Sequence, residues 1–410
     1  MTAHTVARPK LAYLSPMPPE RSGISDYSYE LLPKLSQYYN IDVIVPEDTK
    51  FYHETNDNYQ YCNLEWFKAN HNQYDRILYH FGNSNLHRHM FSLLDNVPGV
   101  VVLHDFFLVE VITGLDISGV MPNALNDALY HSHGYIAPPG VAALVLQEQD
   151  NATNSLNNIW KYPCNLGVLQ KSLGVIVHSE NSRRLAVEWY GKKADDNWAV
   201  IPILREPKIR TDRAKARQLL NLNDNDFVVC SFGFLGAAKL NHRLLNAWLA
   251  SILSKNANCV LVFVGGNAHG EYGKDLINTI RQSGIDIRIT GWVDTSTFHH
   301  YLSAADIGVQ LRTLSRGETS AAVLDCMNYG LPTIVNANGS MAELADDTVW
   351  KLPDEFKDAD LITAMEILYQ NASKRQQLGT KAQEIISTRH SPENCVNQYV
   401  QAIETMYQKN

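Results

Sequence analysis

The stretch Arg316-Gly-Glu-Thr-Ser320-Ala-Ala-Val-Leu-Asp325-Cys-Met-Asn-Tyr-Gly330-Leu-Pro332 joins a loop to a helix, and the rest of the chain reads outward from it. Gly317 lets the backbone turn sharply. Thr319 and Ser320 are good helix starters, Ala321 to Met327 continue an apolar helix, and Gly330 with Pro332 stops it. The first turn of a helix has amides without an intrahelical partner and the positive end of a dipole, so it suits an anion such as a phosphate. Asp325, one or two turns on, supplies an acceptor for paired hydroxyls of the kind a ribose presents. The segment reads equally as part of a nucleotide-sugar site or as a capped helix packed under a sheet.

Outward from it, short β-rich apolar runs alternate with helical stretches from end to end, which predicts an α/β fold of parallel sheets covered by helices on both faces. The spacing predicts strands at 11–15, 41–45, 76–81, 100–104, 175–178 and 199–203 in the first half. A second series is expected at 227–232, 260–264, 287–290, 307–311 and 333–335. Between them Pro202 and Pro207 flank a charged, weakly patterned stretch running to about Arg213, the expected linker. Residues 1–205 are therefore expected to form one domain and 206–390 another. Residues 391–410 open with Ser-Pro-Glu and keep apolar positions at Val396, Tyr399, Ile403 and Met406, a terminal helix assigned to the first domain.

At 410 residues the chain exceeds what one core usually serves, and 45% hydrophobic with 19% charged residues is a globular composition. A formal charge of −8 argues against a general nucleic-acid binder. Six scattered cysteines without a Cys-x-x-Cys spacing indicate neither a zinc site nor a disulfide framework, and fit a reducing cytoplasm. Asn151-Ala-Thr and Asn371-Ala-Ser match the short glycosylation pattern, with nothing else pointing to secretion. No apolar run is long enough to span a membrane.

Ligands of open parallel sheets bind beyond the carboxyl ends of the strands, so the loops there carry the chemistry. After the first strand, Gly23 relaxes a Pro-rich loop where a helix begins and admits a phosphate or sugar close to the backbone. His104-Asp105 follows the fourth strand, where an imidazole can donate to a sugar hydroxyl. In the second series Ser231-Phe-Gly-Phe-Leu-Gly236-Ala-Ala-Lys239 places an ammonium group in a glycine-bearing strand-to-helix loop. Thr290-Gly-Trp-Val293 offers exposed main chain beside a flat base. The pairs His87/His89 and His299/His300 lack the carboxylate or cysteine set a metal needs.

Together with Val102-Leu-His-Asp-Phe-Phe and Val177-His-Ser-Glu, these loops resemble the retaining glycosyltransferases of family 4, over nearly the whole chain. The resemblance implies a GT-B architecture: two Rossmann-like, doubly wound domains facing an interdomain cleft. It implies catalytic roles for His104, facing the transferred sugar, for Lys239 and for Glu318. Nucleotide-sugar contacts then fall on Gly23, Gly236, Lys239, Val293, Arg316, Thr319, Ser320 and Asp325. The sequence departs from the family in three places. The first Glu of the Glu-x(7)-Glu pattern falls on Gly317, leaving Glu318 displaced by one residue. Phe234 stands near the position of an Arg, with Arg312 or Arg316 as substitutes. Asp325 replaces the second Glu.

By resemblance the protein moves a hexose, mannose favoured, from a nucleotide-sugar to a saccharide or lipid-linked saccharide in surface polysaccharide synthesis. GDP-mannose is favoured over a UDP-sugar as donor, with no cofactor, and no metal because no Asp-x-Asp pair stands at a strand end. Phe106-Phe107-Leu108 is expected either to fill the core or to form an acceptor or membrane-facing surface, the latter with a peripheral hold on the inner membrane face. The alternatives are a sugar-nucleotide epimerase of the same shape and a non-catalytic glycan-binding or assembly partner.

Overall fold

The computed structural model describes residues 8–46, 59–134, 161–208 and 212–409. Asn151-Ala-Thr and residues 209–211 of the expected linker lie outside them. The chain divides into two compact units. One comprises the described residues up to Leu204 together with Arg316–Thr319 and Pro392–Lys409, the other Arg205–Ser315 and Ser320–Ser391.

The first unit is built on seven parallel strands in the order β3-β2-β1-β4-β5-β6-β7. They are β1 (Lys10–Leu14), β2 (Asn40–Val45), β3 (Tyr59–Asn63), β4 (Arg76–Phe81), β5 (Val100–Leu103), β6 (Gly174–Val177) and β7 (Trp198–Val200). Val100-Val-Val-Leu103 is buried at every position, because a central parallel strand is covered on both faces and tolerates no polar alternation. The second unit has six parallel strands in the order β10-β9-β8-β11-β12-β13: β8 (Phe227–Phe232), β9 (Cys259–Val264), β10 (Ile287–Ile289), β11 (Ile307–Gln310), β12 (Thr333–Asn336) and β13 (Trp350–Leu352). In both sheets the order runs outward in two directions from a central pair, β1/β4 and β8/β11. Those are the switch points where open α/β sheets bind ligands.

All eleven expected strands form within a residue or two, apart from the last of the first series, which stops at Val200. β3 and β13 were not expected. Both are edge strands of mixed exposure, and an edge strand buried on part of its surface shows no continuous apolar run. Phe106, Phe107 and Leu108 are 0%, 6% and 0% exposed and belong to the core of the first unit, so they form no acceptor or membrane-facing surface. Burying each of these side chains contributes about 2 kcal/mol. Among the described residues no helix is long and apolar enough to cross a membrane.

The terminal helix Pro392–Lys409 packs on helix Gly23–Leu35 and buries Cys395, Val396, Tyr399, Ile403 and Met406. Arg76 grips Glu404 with two parallel bonds of 3.1 and 2.6 Å, and Tyr27 donates its hydroxyl to Tyr399 at 2.8 Å in the interior.

Candidate functional site

At the carboxyl edge of the first sheet, neighbouring strands end in side chains that meet. His80 is the penultimate residue of β4, His104 follows β5 and His178 follows β6. Their rings lie 5.3 Å (His80 to His104) and 4.8 Å (His104 to His178) apart. Tyr27, from the second turn of helix Gly23–Leu35, packs edge-on against His104 and His178 at 5.3 and 5.4 Å. His80 Nδ1 and His104 Nε2 are 3.0 Å apart. Burial lowers the pKa of His104 well below the ordinary value, helped by His178, His80 and His87; His80 is lowered likewise, and His87 falls to about 4. All three are neutral imidazoles near pH 7. Gly23, the first residue of its helix, is exposed, and a methyl group added there would touch nothing. The protein itself therefore does not demand glycine at 23. Ser22 caps this helix through Ile24 N at 3.2 Å.

The segment 316–319 belongs to the same unit. Arg316 O accepts from the amides of Phe106 and Phe107 at 2.7 and 3.2 Å, and Gly317 O accepts from Ser182 Oγ at 2.6 Å. Gly317 has φ +82°, and a Cβ there would overlap Phe106 Cβ. The glutamate that the resemblance implies here cannot occupy this position without unseating the segment. Glu318 folds back, its Oε2 accepting from Arg316 N at 2.6 Å. The Arg316 guanidinium meets Glu110 at 3.3 Å. Burial lowers the Arg316 pKa and raises that of Glu110, the latter against the pull of Arg316. Asn83 fixes the neighbouring turn: its Oδ1 accepts from the backbone amides of Glu110 and Val111, and its backbone N–H donates to Asp105 Oδ2.

The second sheet ends differently. Gly233, Gly265 and Gly291 follow β8, β9 and β10, all with positive φ (+101°, +157° and +71°). A Cβ on Gly265 would overlap Gly233 O, so two loops lie backbone to backbone. Lys239 is half-buried and ends a short 3₁₀ turn, Ala237–Lys239. Thr313 N donates to Ala238 O at 3.1 Å, tying this turn to the loop after β11. Gly236 is extended and its amide is taken by Asn241 Oδ1 at 3.0 Å. Val293, after Gly291 and the exposed Trp292, packs partly on the core.

The helix of the opening motif runs from Ala321 to Asn328, with Gly330 at φ +59° beyond its end. Ser320 stands at its cap without a side-chain cap bond, and the buried Thr319 Oγ1 has no partner among the described residues. Asp325 Oδ1 accepts from Arg205 Nε at 2.8 Å, a pair whose side chains are 29% and 10% exposed. The His299 and Tyr329 rings lie 5.6 Å apart, tilted to one another, and the pKa of Tyr329 is pushed up to about 12 by burial and by Asp325. Among the described residues no group of three or more His, Cys, Asp or Glu is arranged to hold a metal ion.

The structure thus gathers Gly23, His104, Arg316, Glu318 and Thr319 in the first unit, and Gly236, Lys239, Val293, Ser320 and Asp325 in the second. Sequence reasoning held His178 and Tyr27 only as letters of quoted motifs, without a role, and assigned none to His80, Ser182, Glu110 or Arg205. A histidine near the end of a buried strand was the available signal for His80. Arg205 lay in an expected linker and gave none.

Two Rossmann-like units of this kind define the GT-B fold class. Residues 212–385 match the family described as glycosyl transferases group 1. No curated protein matches the chain in sequence. Among solved structures it is similar to HepE from Anabaena in complex with UDP-glucose, at 16% identity over 97% of this chain and 100% of that one, TM-score 0.66. Sucrose-phosphate synthase from Thermosynechococcus elongatus is 17% identical over 98% and 100%, TM-score 0.67. WaaG, a glycosyltransferase involved in lipopolysaccharide biosynthesis, is 12% identical over 94% and 98%, TM-score 0.62. At such identities the likeness carries the fold; with the family match, it supports a GT-B glycosyltransferase.

Proposed function

We propose that this protein is a retaining, metal-independent hexosyltransferase of family 4, moving mannose or a related hexose from a nucleotide-sugar to a saccharide or lipid-linked saccharide acceptor in surface polysaccharide synthesis. One observation carries the reading. At the start of helix Ala321–Asn328 the amides of Ala321, Ala322 and Val323 donate to no group among the described residues, inside the segment that matches the glycosyltransferase family. Such a helix end receives a diphosphate, and Lys239 adds a cation for the same charge. As the sugar leaves, charge grows on the diphosphate. Donors already aimed at it are worth about 3 kcal/mol each. The family resemblance has the acceptor attack on the face the diphosphate leaves, a phosphate oxygen taking its proton, with no protein nucleophile. His104 contributes a contact to the sugar, and Asp325, held by Arg205, an acceptor for the ribose.

GDP-mannose is the favoured donor. The UDP-glucose of the HepE complex supports a uridine donor as the second reading. Calorimetry against GDP-mannose, UDP-glucose and a dTDP-deoxysugar, followed by donor hydrolysis assays, tests both. Binding of none of them ends the proposal in favour of a non-catalytic partner. Epimerised donor appearing without acceptor would make the protein an epimerase.

A further inference from the structure

The histidines of the first unit constrain one another's protons. His87 Nδ1 lies 2.8 Å from the His80 carbonyl, which only accepts, so His87 carries its proton on Nδ1. Its Nε2 is buried without a partner among the described residues. The fold therefore already tolerates a bare imidazole nitrogen in this layer. His80 and His104 face each other through Nδ1 and Nε2 at 3.0 Å, so one of these two nitrogens holds a proton and the other accepts it.

Two arrangements satisfy that bond. In the first, His104 carries its proton on Nε2 and donates to His80, whose own proton must then sit on Nε2. That atom is buried, in a ring that is fully inaccessible, and has no partner among the described residues. A stranded buried N–H is rarer and costlier than an unused acceptor. In the second arrangement His80 donates from Nδ1, its Nε2 is bare as in His87, and His104 has its proton on Nδ1. That nitrogen has no protein partner among the described residues, and the His104 ring is the partly exposed one of the pair.

We propose that His80 is a positioning residue that fixes His104 in the Nδ1–H tautomer, so that His104 offers a ligand a hydrogen-bond donor and not a base. Its consequence rests on the glycosyltransferase reading: the ligand group is then an oxygen of the donor sugar, and the acceptor's proton goes to a group other than His104. The tautomer itself does not depend on that reading.

The test is a long-range ¹H–¹⁵N correlation spectrum of the full chain with ¹⁵N-labelled histidine at neutral pH, His104 being assigned by its loss in His104→Gln. Protonated Nδ1 and bare Nε2 on His104 are expected; protonated Nε2 overturns the proposal whether or not the protein binds a sugar nucleotide. His80→Leu should move His104 toward the other tautomer, and His80→Asn, which places an amide N–H near the lost Nδ1, should restore it. If His80→Leu leaves His104 unchanged, His80 does not position it; if that variant does not fold, the wild-type spectrum decides. With donor and acceptor in hand, His80→Leu lowers kcat about tenfold or more with little change in donor KM, as a wrong tautomer does, and His80→Asn recovers most of it. Equal loss in both variants marks a structural role alone and overturns the positioning role.

Discussion

The two sheets end in opposite materials. The carboxyl edge of the first is furnished with side chains, His80, His104 and His178 backed by Tyr27, whereas that of the second is bare main chain turning at Gly233, Gly265 and Gly291. Rings offer directional, pH-sensitive contacts of the sort a sugar's hydroxyls need. Naked backbone and a helix start offer fixed dipoles and close approach, which suit phosphates and a flat base. The difference teaches that one fold, used twice, can divide recognition by what it places at the strand ends.

The hardest blow to that division is Gly317→Ala. A Cβ at φ +82° pressed onto Phe106 should cost about 3 kcal/mol, read as a lower unfolding midpoint, because the segment 316–319 must lift off the first unit. An unchanged midpoint would mean that the segment is not held as described. Next, Lys239→Ala should cut turnover about a hundredfold with the fold intact by circular dichroism; wild-type turnover removes this lysine from the second edge. Asp325→Ala removes the carboxylate that pairs with the largely buried Arg205 guanidinium and should destabilise by about 2 kcal/mol, whereas Asp325→Asn should lose less. Equal midpoints for wild type and Asp325→Ala in urea would show that the ion pair carries no weight.

Acid sharpens the contrast further. His80, His87 and His104 take up protons less readily folded than unfolded, where histidine titrates near 6.5. Between that value and the folded value, about 4 for His87, unfolding binds protons, so stability is fully present above 6.5 and declines as pH falls to about 4. The slope is about 1 kcal/mol per pH unit for one such histidine. A urea midpoint series across this window should flatten in His87→Asn, and an identical slope would exclude His87 as a contributor. The smallest effect is Gly23→Ala, where the added methyl meets nothing: stability should change by less than about 0.5 kcal/mol. A fall in turnover without a fall in stability would show that a ligand approaches this backbone.

Much of this was legible in the residues. Central parallel strands announce themselves as unbroken apolar runs, and the opening motif declared its helix through Ser320 and Gly330. β3 and β13 stayed hidden because partly exposed edge strands lack that run. His104 stood out singly, but its partners did not. Strands β4, β5 and β6 are neighbours only through the sheet order, which no local pattern encodes. Arg205 meets Asp325 across 120 positions of chain, and no spacing rule reaches that far. The triplet at Phe106 shows the converse, since apolar letters alone do not say whether a turn faces the interior or the outside.

The bond between Tyr27 and Tyr399 spans 372 positions, with the whole second unit threaded between its ends. A nascent chain that has emerged only as far as Leu204 therefore has its histidine layer and Tyr27 but not the acceptor for the Tyr27 hydroxyl, and must wait for the second unit to be synthesised before the first can close. Order of birth and order of completion are reversed: the earlier-made unit is the later finished.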